Sequence, residues 1–251
     1  MGSISNGNWP EGFEKIPDFP AFKSFARALW ENQAAVMVGS GFSRACLREP
    51  TAPAPPLWGD FKARMEIALG YSSGYAPDAL RLAQEFQTLH GEDGLDRLIR
   101  ELVPDERWSP GPLHKQLLEL PWRDVLTTNW DTLLERATPE TPDRVYSCVR
   151  TVQDIAHQAA PRIIKLHGSL PSHKPFIFTE DEFRTYPTNF APFVNLAQQV
   201  MLEHELCLIG FSGVDPNFLA WSGWARDTLG ASTRRIRLVG SLNLTPPARA
   251  L

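Results

Sequence analysis

This sequence predicts an α/β fold, a parallel sheet with helices packed on both faces. Three observations carry that prediction. Short apolar or β-branched runs alternate with segments of helical spacing along much of the chain. The run Ala34–Val38 ends in Gly39-Ser40-Gly41 and turns toward helix-forming sequence, the pattern of a phosphate-binding turn. Three later strand-like runs also end in polar clusters, and in an open parallel sheet those ends converge.

In chain order, MGSISN fits the minimal myristoylation pattern loosely. No polybasic or second lipid signal accompanies it, so residues 1–18 read as a disordered tail. Phe19–Asn32 has helical spacing, with Phe22, Phe25, Ala26 and Leu29 on one face, and leads into the first strand. Residues 48–57, REPTAPAPPL, are too rich in proline for regular structure. They follow the glycine turn at once, where a lid over a ligand belongs. From about 58 to 120 the pattern is helical, at Gly59–Leu69, Pro77–Leu89, Gly94–Val103 and Leu113–Leu120, with no strand signal between them. Strands resume at Asp124–Thr128, Arg144–Val149, Arg162–Leu166, Glu205–Ile209 and Arg235–Val239. Helices fall at Trp130–Ala137, Thr151–Ala159, Asn189–Glu203 and Pro216–Leu229. Residues 19–251 thus form one domain carrying a helical insertion. The end at Leu251, soon after a strand, is what a truncated chain would show.

Composition narrows the function. With 251 residues, eight Trp and fourteen Phe there is ample core for one large domain. A formal charge of −4 supplies no electrostatic case for nucleic acid or an anionic membrane. Arg234, Arg235 and Arg237 read as a solvated strand end. Cys46, Cys148 and Cys207 are widely spaced and contain no CxxC pair, which supports neither a zinc site nor a disulfide framework. With no signal peptide and no apolar span of membrane length, the expectation is a cytoplasmic protein without a metal.

The polar clusters are Gly39-Ser40-Gly41-Phe42-Ser43, Thr127–Asp131, His167-Gly168-Ser169 and Gly210–Asp215. In the first, Arg44 occupies the third glycine position of the dehydrogenase fingerprint, and no acidic residue ends a following strand. Asp60 has the spacing but lies in a helical pattern, so hydride transfer is disfavoured, and the absence of GK[ST] excludes a P-loop. Asn129 and Asp131 read either as caps of the next helix or as groups that orient a water, a ribose hydroxyl or a carboxamide. His167 lies at a strand's carboxyl end, where general bases are placed, although a lone His is more often structural. Asp215-Pro216 reads as an N-cap and first helical residue. Ser212 reaches either a ligand or a loop amide, and Glu180-Asp181-Glu182 reads as a capped helix start.

Together these residues resemble the sirtuin family. GSGFS resembles its glycine–serine NAD loop, TTNWD its TQNID-type motif, KLHGS its catalytic His-Gly and GFS its GTS loop, while LVGSLN at Leu238–Asn243 is a weaker match to its last nucleotide strand. The resemblance spans about residues 34–243 and implies a Rossmann-like fold, here with a helical insertion in place of the zinc ribbon. The segments FTEDEF and GFSGVDPNF look like the sirtuin-like domains of bacterial anti-phage defence systems. Such domains hydrolyse NAD and often assemble as homo-oligomers or with Argonaute-like, HerA-type ATPase or sensor modules.

What the resemblance implies is an NAD hydrolase that releases nicotinamide and ADP-ribose, with NAD as substrate. Asn129, Asp131 and a neutral His167 would be catalytic. Gly39, Ser40, Gly41, Phe42, Ser43, Gly168, Gly210, Ser212 and Asn243 would bind NAD. The alternatives are an NAD-dependent protein deacylase and a silent scaffold that senses NAD or ADP-ribose. A cyclising variant is not separable from a hydrolase by sequence.

Overall fold

The computed structural model describes residues 15, 19–72, 76–141 and 143–239. The predicted tail, apart from residue 15, and Asn243 lie outside the described residues. In chain order the elements are α1 (Phe19–Trp30), β1 (Ala34–Val38), α2 (Ser40–Ser43), β2 (Leu47–Arg48), α3 (Trp58–Leu69), α4 (Ala79–Leu102), β3 (Trp108–Ser109) and α5 (Pro112–Glu119). There follow β4 (Asp124–Thr127), α6 (Leu133–Ala137), β5 (Ser147–Val149), β6 (Arg162–Lys165), α7 (Glu180–Asn189), α8 (Ala191–Glu203), β7 (Glu205–Ile209), α9 (Pro216–Leu229) and β8 (Ile236–Val239).

Six strands form one sheet in the order β5-β6-β4-β1-β7-β8, and every recorded pairing in it is parallel. β1 lies inside, flanked by β4 and β7, and all five of its residues are buried. A continuous apolar run such as AAVMV suits a strand covered on both faces. Its alternate residues feed two cores. Ala35 and Met37 join the side chains of α7, α8 and α9 on one face, whereas Ala34, Val36 and Val38 join Leu117, Leu118 and Trp122 on the other. A third apolar cluster, including Phe61, Leu82, Trp108 and Phe178, binds α3 and α4 to the body near the carboxyl ends of the strands. Between β4 and β6, Arg162 donates two hydrogen bonds to the buried Asp124 carboxylate, at 2.8 and 3.1 Å, a planar pairing that pins their register.

The elements depart from the sequence reading where side chains serve distant partners. The helical stretch contains a strand after all, because β3 pairs antiparallel with β2 in a two-stranded sheet. The two helices expected at 77–89 and 94–103 run end to end as α4, kinked at Gly91, whose φ is +74°. α6 starts three residues later than periodicity predicts, because Thr132 bonds Asp105 and Asp131 turns to Ser43. Thr151–Ala159 is a short 3-10 turn at Val152–Ala156, and β5 is half its expected length. Glu180 does open a capped helix, since Thr179 accepts from the Glu182 amide while Glu182 accepts from the Thr179 amide. Arg237 on β8 faces Glu205 at 3.5 Å.

The strand order reverses at β1, so its carboxyl end is the switch point where ligands bind. There the turns after β1 and β7 touch backbone to backbone. The Gly39 amide donates to Ile209 O at 3.1 Å, and the Gly41 amide to Gly210 O at 3.0 Å. A Cβ at Gly39 would stand 2.5 Å from Gly210 O. One at Gly210, whose φ is +60°, would stand 2.2 Å from Phe42 N. Gly210→Ala should therefore destabilise the protein by about 2–4 kcal/mol. Gly223→Ala, in α9 with open space around the site of its Cβ, should add about 0.5–1 kcal/mol. Urea denaturation of both variants checks the contrast.

Candidate active site

A cavity of about 590 Å³ opens at this switch point, a volume suited to a small organic ligand or cofactor. Gly39, Ser40, Gly41 and Ser43 line it from the first turn, Asn129 and Asp131 from the second, His167 from the turn after β6, and Gly210, Ser212 and Asp215 from the turn before α9. The proline-rich segment forms one rim through Pro55, Pro56, Leu57 and Trp58. Arg44 holds it there, bonding Pro55 O at 3.1 Å and pairing with Asp60 at 3.4 Å. Asp60 itself accepts from the Leu57 amide at the start of α3. Trp58, Phe61 and Trp130 extend the wall in an aromatic cluster around Phe178, with ring centroids 5.2–5.5 Å apart.

The first turn is built less for cradling an anion than for close approach. The Phe42 amide donates to Gly39 O, so three of its amides, those of residues 39, 41 and 42, already have partners within the protein. Phe42 is not part of the cavity wall; its ring lies 4.9 Å from that of the buried His114. Gly168 is likewise absent from the wall. Its φ of +90° and the crowding of Pro175 O, 2.3 Å from a would-be Cβ, make it a requirement of the following loop. Ser212 stands in the wall and accepts weakly from the Val214 amide, at 3.5 Å.

Ser43 links the first two clusters. Its hydroxyl donates to Asp131 Oδ2 at 2.7 Å, and a hydroxyl has only one proton. Toward Asn129 it can only accept, and Asn129 Nδ2 donates to it at 3.0 Å. The carboxamide is thereby oriented, and Asn129 Oδ1 has no hydrogen-bond donor among the described residues. Asp131 Oδ1 accepts from the Leu133 amide, so the residue caps the start of the next helix while standing in the cavity wall. Beneath this turn lies a pair that periodicity could not single out. Lys165, in an apolar strand and 1% exposed, donates to Asp131 O and pairs with Glu135 at 3.3 Å.

His167 is buried with its ring edge-on to Phe183 and Tyr186. Trp130 Nε1 donates to its backbone carbonyl at 3.0 Å. Loss of hydration pushes the imidazole below its ordinary value, and the Asp215 carboxylate 4.0 Å from Nδ1 opposes that only in part. The ring is therefore neutral near pH 7, the state a proton acceptor requires. Asp215 Oδ1 accepts from the Phe218 amide and caps α9. Burial also lowers His114 and raises the thiols, Cys148 to about 11 and Cys207 to about 12. Those thiols are inert core groups. Among the described residues no group of three His, Cys, Asp or Glu side chains could hold a metal ion, and no helix is long and apolar enough to cross a membrane.

The switch-point cavity of this parallel sheet thus gathers an oriented carboxamide, a carboxylate and a neutral imidazole. Residues 123–245 match the family model described as the SIR2-like domain. The chain is similar to the NAD(+) hydrolase ThsA of Acinetobacter baumannii (strain 532279), 30% identical over 197 residues, covering 76% of this chain and 39% of that protein. It is similar to the NAD(+) hydrolase ThsA of Bacillus cereus (strain MSX-D12), 24% identical over 78% of this chain and 40% of that one. A third relative is defense-associated sirtuin 2 of Bacillus subtilis, 26% identical over 59% of this chain and 15% of that protein. The chain spans less than half the length of these relatives. Over residues 123–245 it is similar to the SIR2-like domain family.

Two predictions test the site's physical chemistry. Lys165→Met should cost about 3–5 kcal/mol by stranding the Glu135 carboxylate in the interior, and Lys165→Met with Glu135→Leu should recover most of it. Denaturant midpoints of the four-member cycle measure this. As for pH, unfolded chains take up protons near about pH 6.5 that buried His167 and His114 refuse. Their contribution to stability is full above that pH and falls as pH drops through it toward their lowered folded values. The melting temperature should decline between pH 7.5 and 5.5, and less steeply in His167→Gln. A flat profile in the wild type would refute this.

Proposed function

We propose that this chain is the NAD-cleaving module of a sirtuin-like hydrolase, breaking the bond between nicotinamide and ribose to give nicotinamide and ADP-ribose. The observation that carries the reading is the convergence of the oriented Asn129 carboxamide and the neutral His167 ring on one cavity. The names of the ThsA relatives support it.

Nicotinamide leaves as a neutral molecule, so the reaction needs little acid. It needs a desolvated ribose and a water aligned with an oxocarbenium-like transition state. Asn129 Oδ1 would accept from that water or from a ribose hydroxyl. Asp131 keeps lone pairs beyond its two protein partners, and these would hold the nicotinamide amide. His167 would take a proton from the hydroxyl or the water. Ser40, Gly41 and Ser212 would border the phosphates and adenosine side, and the aromatic rim would keep bulk water out. Asn243 belongs to the adenosine side of the same proposal. The role would be depletion of cellular NAD in anti-phage defence, in the cytoplasm, under control of self-association or a partner protein.

The experiment incubates the protein with NAD, alone and with its native partner, and follows nicotinamide and ADP-ribose by chromatography. Asn129→Ala and His167→Ala should each lower turnover by on the order of 10²-fold or more while melting cooperatively. Full activity in both folded variants would overturn the roles. Saturable NAD binding without product in the wild type under every condition would favour the silent-scaffold reading, and release that depends on an acyl-lysine peptide would favour the deacylase.

A further inference from the structure

The N-cap and first turn of α9 carry two side chains that face the two nitrogens of the His167 ring. Asp215, capping the helix through Oδ1, leaves Oδ2 4.0 Å from Nδ1. Asn217, two residues on and 4% exposed, places Nδ2 3.3 Å from Nε2. A carboxamide nitrogen only donates, so Nε2 must be the nitrogen with the lone pair. In a neutral ring the proton then sits on Nδ1, the side facing the carboxylate. Pro216 between them fixes the backbone at the first helical position, so the Asp-Pro-Asn spacing sets both contacts at once. Capping alone does not ask for a buried amide at Asn217, which would be costly without a partner.

We infer that Asp215 and Asn217 are positioning residues for His167: Asn217 selects the Nδ1–H tautomer and Asp215 stabilises the imidazolium formed when Nε2 takes a proton. The second half rests on the NAD-cleavage reading. In that step the O–H bond of a ribose hydroxyl or the attacking water breaks and an Nε2–H bond forms. The electron pair stays on oxygen beside the electron-poor anomeric carbon, and Asn217 Nδ2 releases Nε2. The proton leaves His167 for solvent once product has formed. At 4.0 Å Asp215 acts through its charge and not through a direct hydrogen bond. The other polar groups against the ring do not compete. Tyr186 from α7 is held neutral by burial and donates to Leu166 O, and Trp130 bonds the backbone of His167.

The test is long-range proton–nitrogen NMR of the full chain labelled on histidine, with His167 assigned by its loss in His167→Gln. Wild type should show the Nδ1–H tautomer, with the ring neutral near pH 7. Asn217→Asp puts an acceptor against Nε2 and should move the proton there or charge the ring. Asp215→Asn keeps a good N-cap. It should leave the tautomer unchanged, shift the acid limb of nicotinamide release to lower pH and reduce kcat about tenfold, with KM changed little. An Nε2–H tautomer in wild type, or an unmoved tautomer in Asn217→Asp, would overturn the inference. So would variants that only melt earlier with an unmoved pH profile. The NMR arm needs no turnover, so it is decided even if NAD is not the substrate.

Discussion

Two backbone hydrogen bonds, from Gly39 to Ile209 and from Gly41 to Gly210, lock the turn after β1 against the turn after β7. Strands at a switch point diverge in their connections, so a crevice opens there by default. The direct contact sets how wide it opens. It also places Ser43 over the β4 turn and hands the chain from Gly210 to Ser212 and Asp215 at the cavity wall. Without that contact the four polar clusters would remain at one edge of the sheet but would not face a common volume.

Buried polar groups in this region are arranged in series, each answering the hydrogen-bonding demand of another. Asp131 accepts the hydrogen bond that Ser43 can donate, which obliges Ser43 to accept from Asn129, which leaves Asn129 Oδ1 for something outside the protein. Lys165 fastens the backbone of the same turn from below and is neutralised by Glu135. His167 follows two residues after Lys165, just past the end of β6, so one anchor fixes the spacing of the second and third clusters. A network of this kind loses more than one bond when a member is removed, because the remaining groups stay buried.

Much of the fold was legible in residue order. AAVMV could only be a doubly covered strand, and the alternation of apolar runs with helical spacing defined the parallel sheet. Elements slipped where local propensity met a distant bond. Thr132 gave up the helix start for Asp105, and Trp108 paired with Arg48 across sixty residues of chain. In the site, Asn129, Asp131 and His167 announced themselves by following apolar strand-like runs, His167 with a glycine beside it. Lys165, Glu135 and Asn217 did not, because a lysine in an apolar strand and an asparagine in a helix look like surface residues until their burial is known. Phe42 and Gly168 made the opposite error, standing inside a motif while serving the packing.

By itself, the sequence determined the strand ends, the glycines that let two turns approach, and the residue types brought to the switch point. These are local properties, encoded in steric freedom and in two- and three-to-four-residue periodicity. Tertiary structure alone decided which hydrogen-bonding face each polar group shows the cavity. The single proton of Ser43 turns Asn129, and the amide of Asn217 chooses the bare nitrogen of His167. Those directions depend on partners 50 to 88 residues away, and no local pattern carries them.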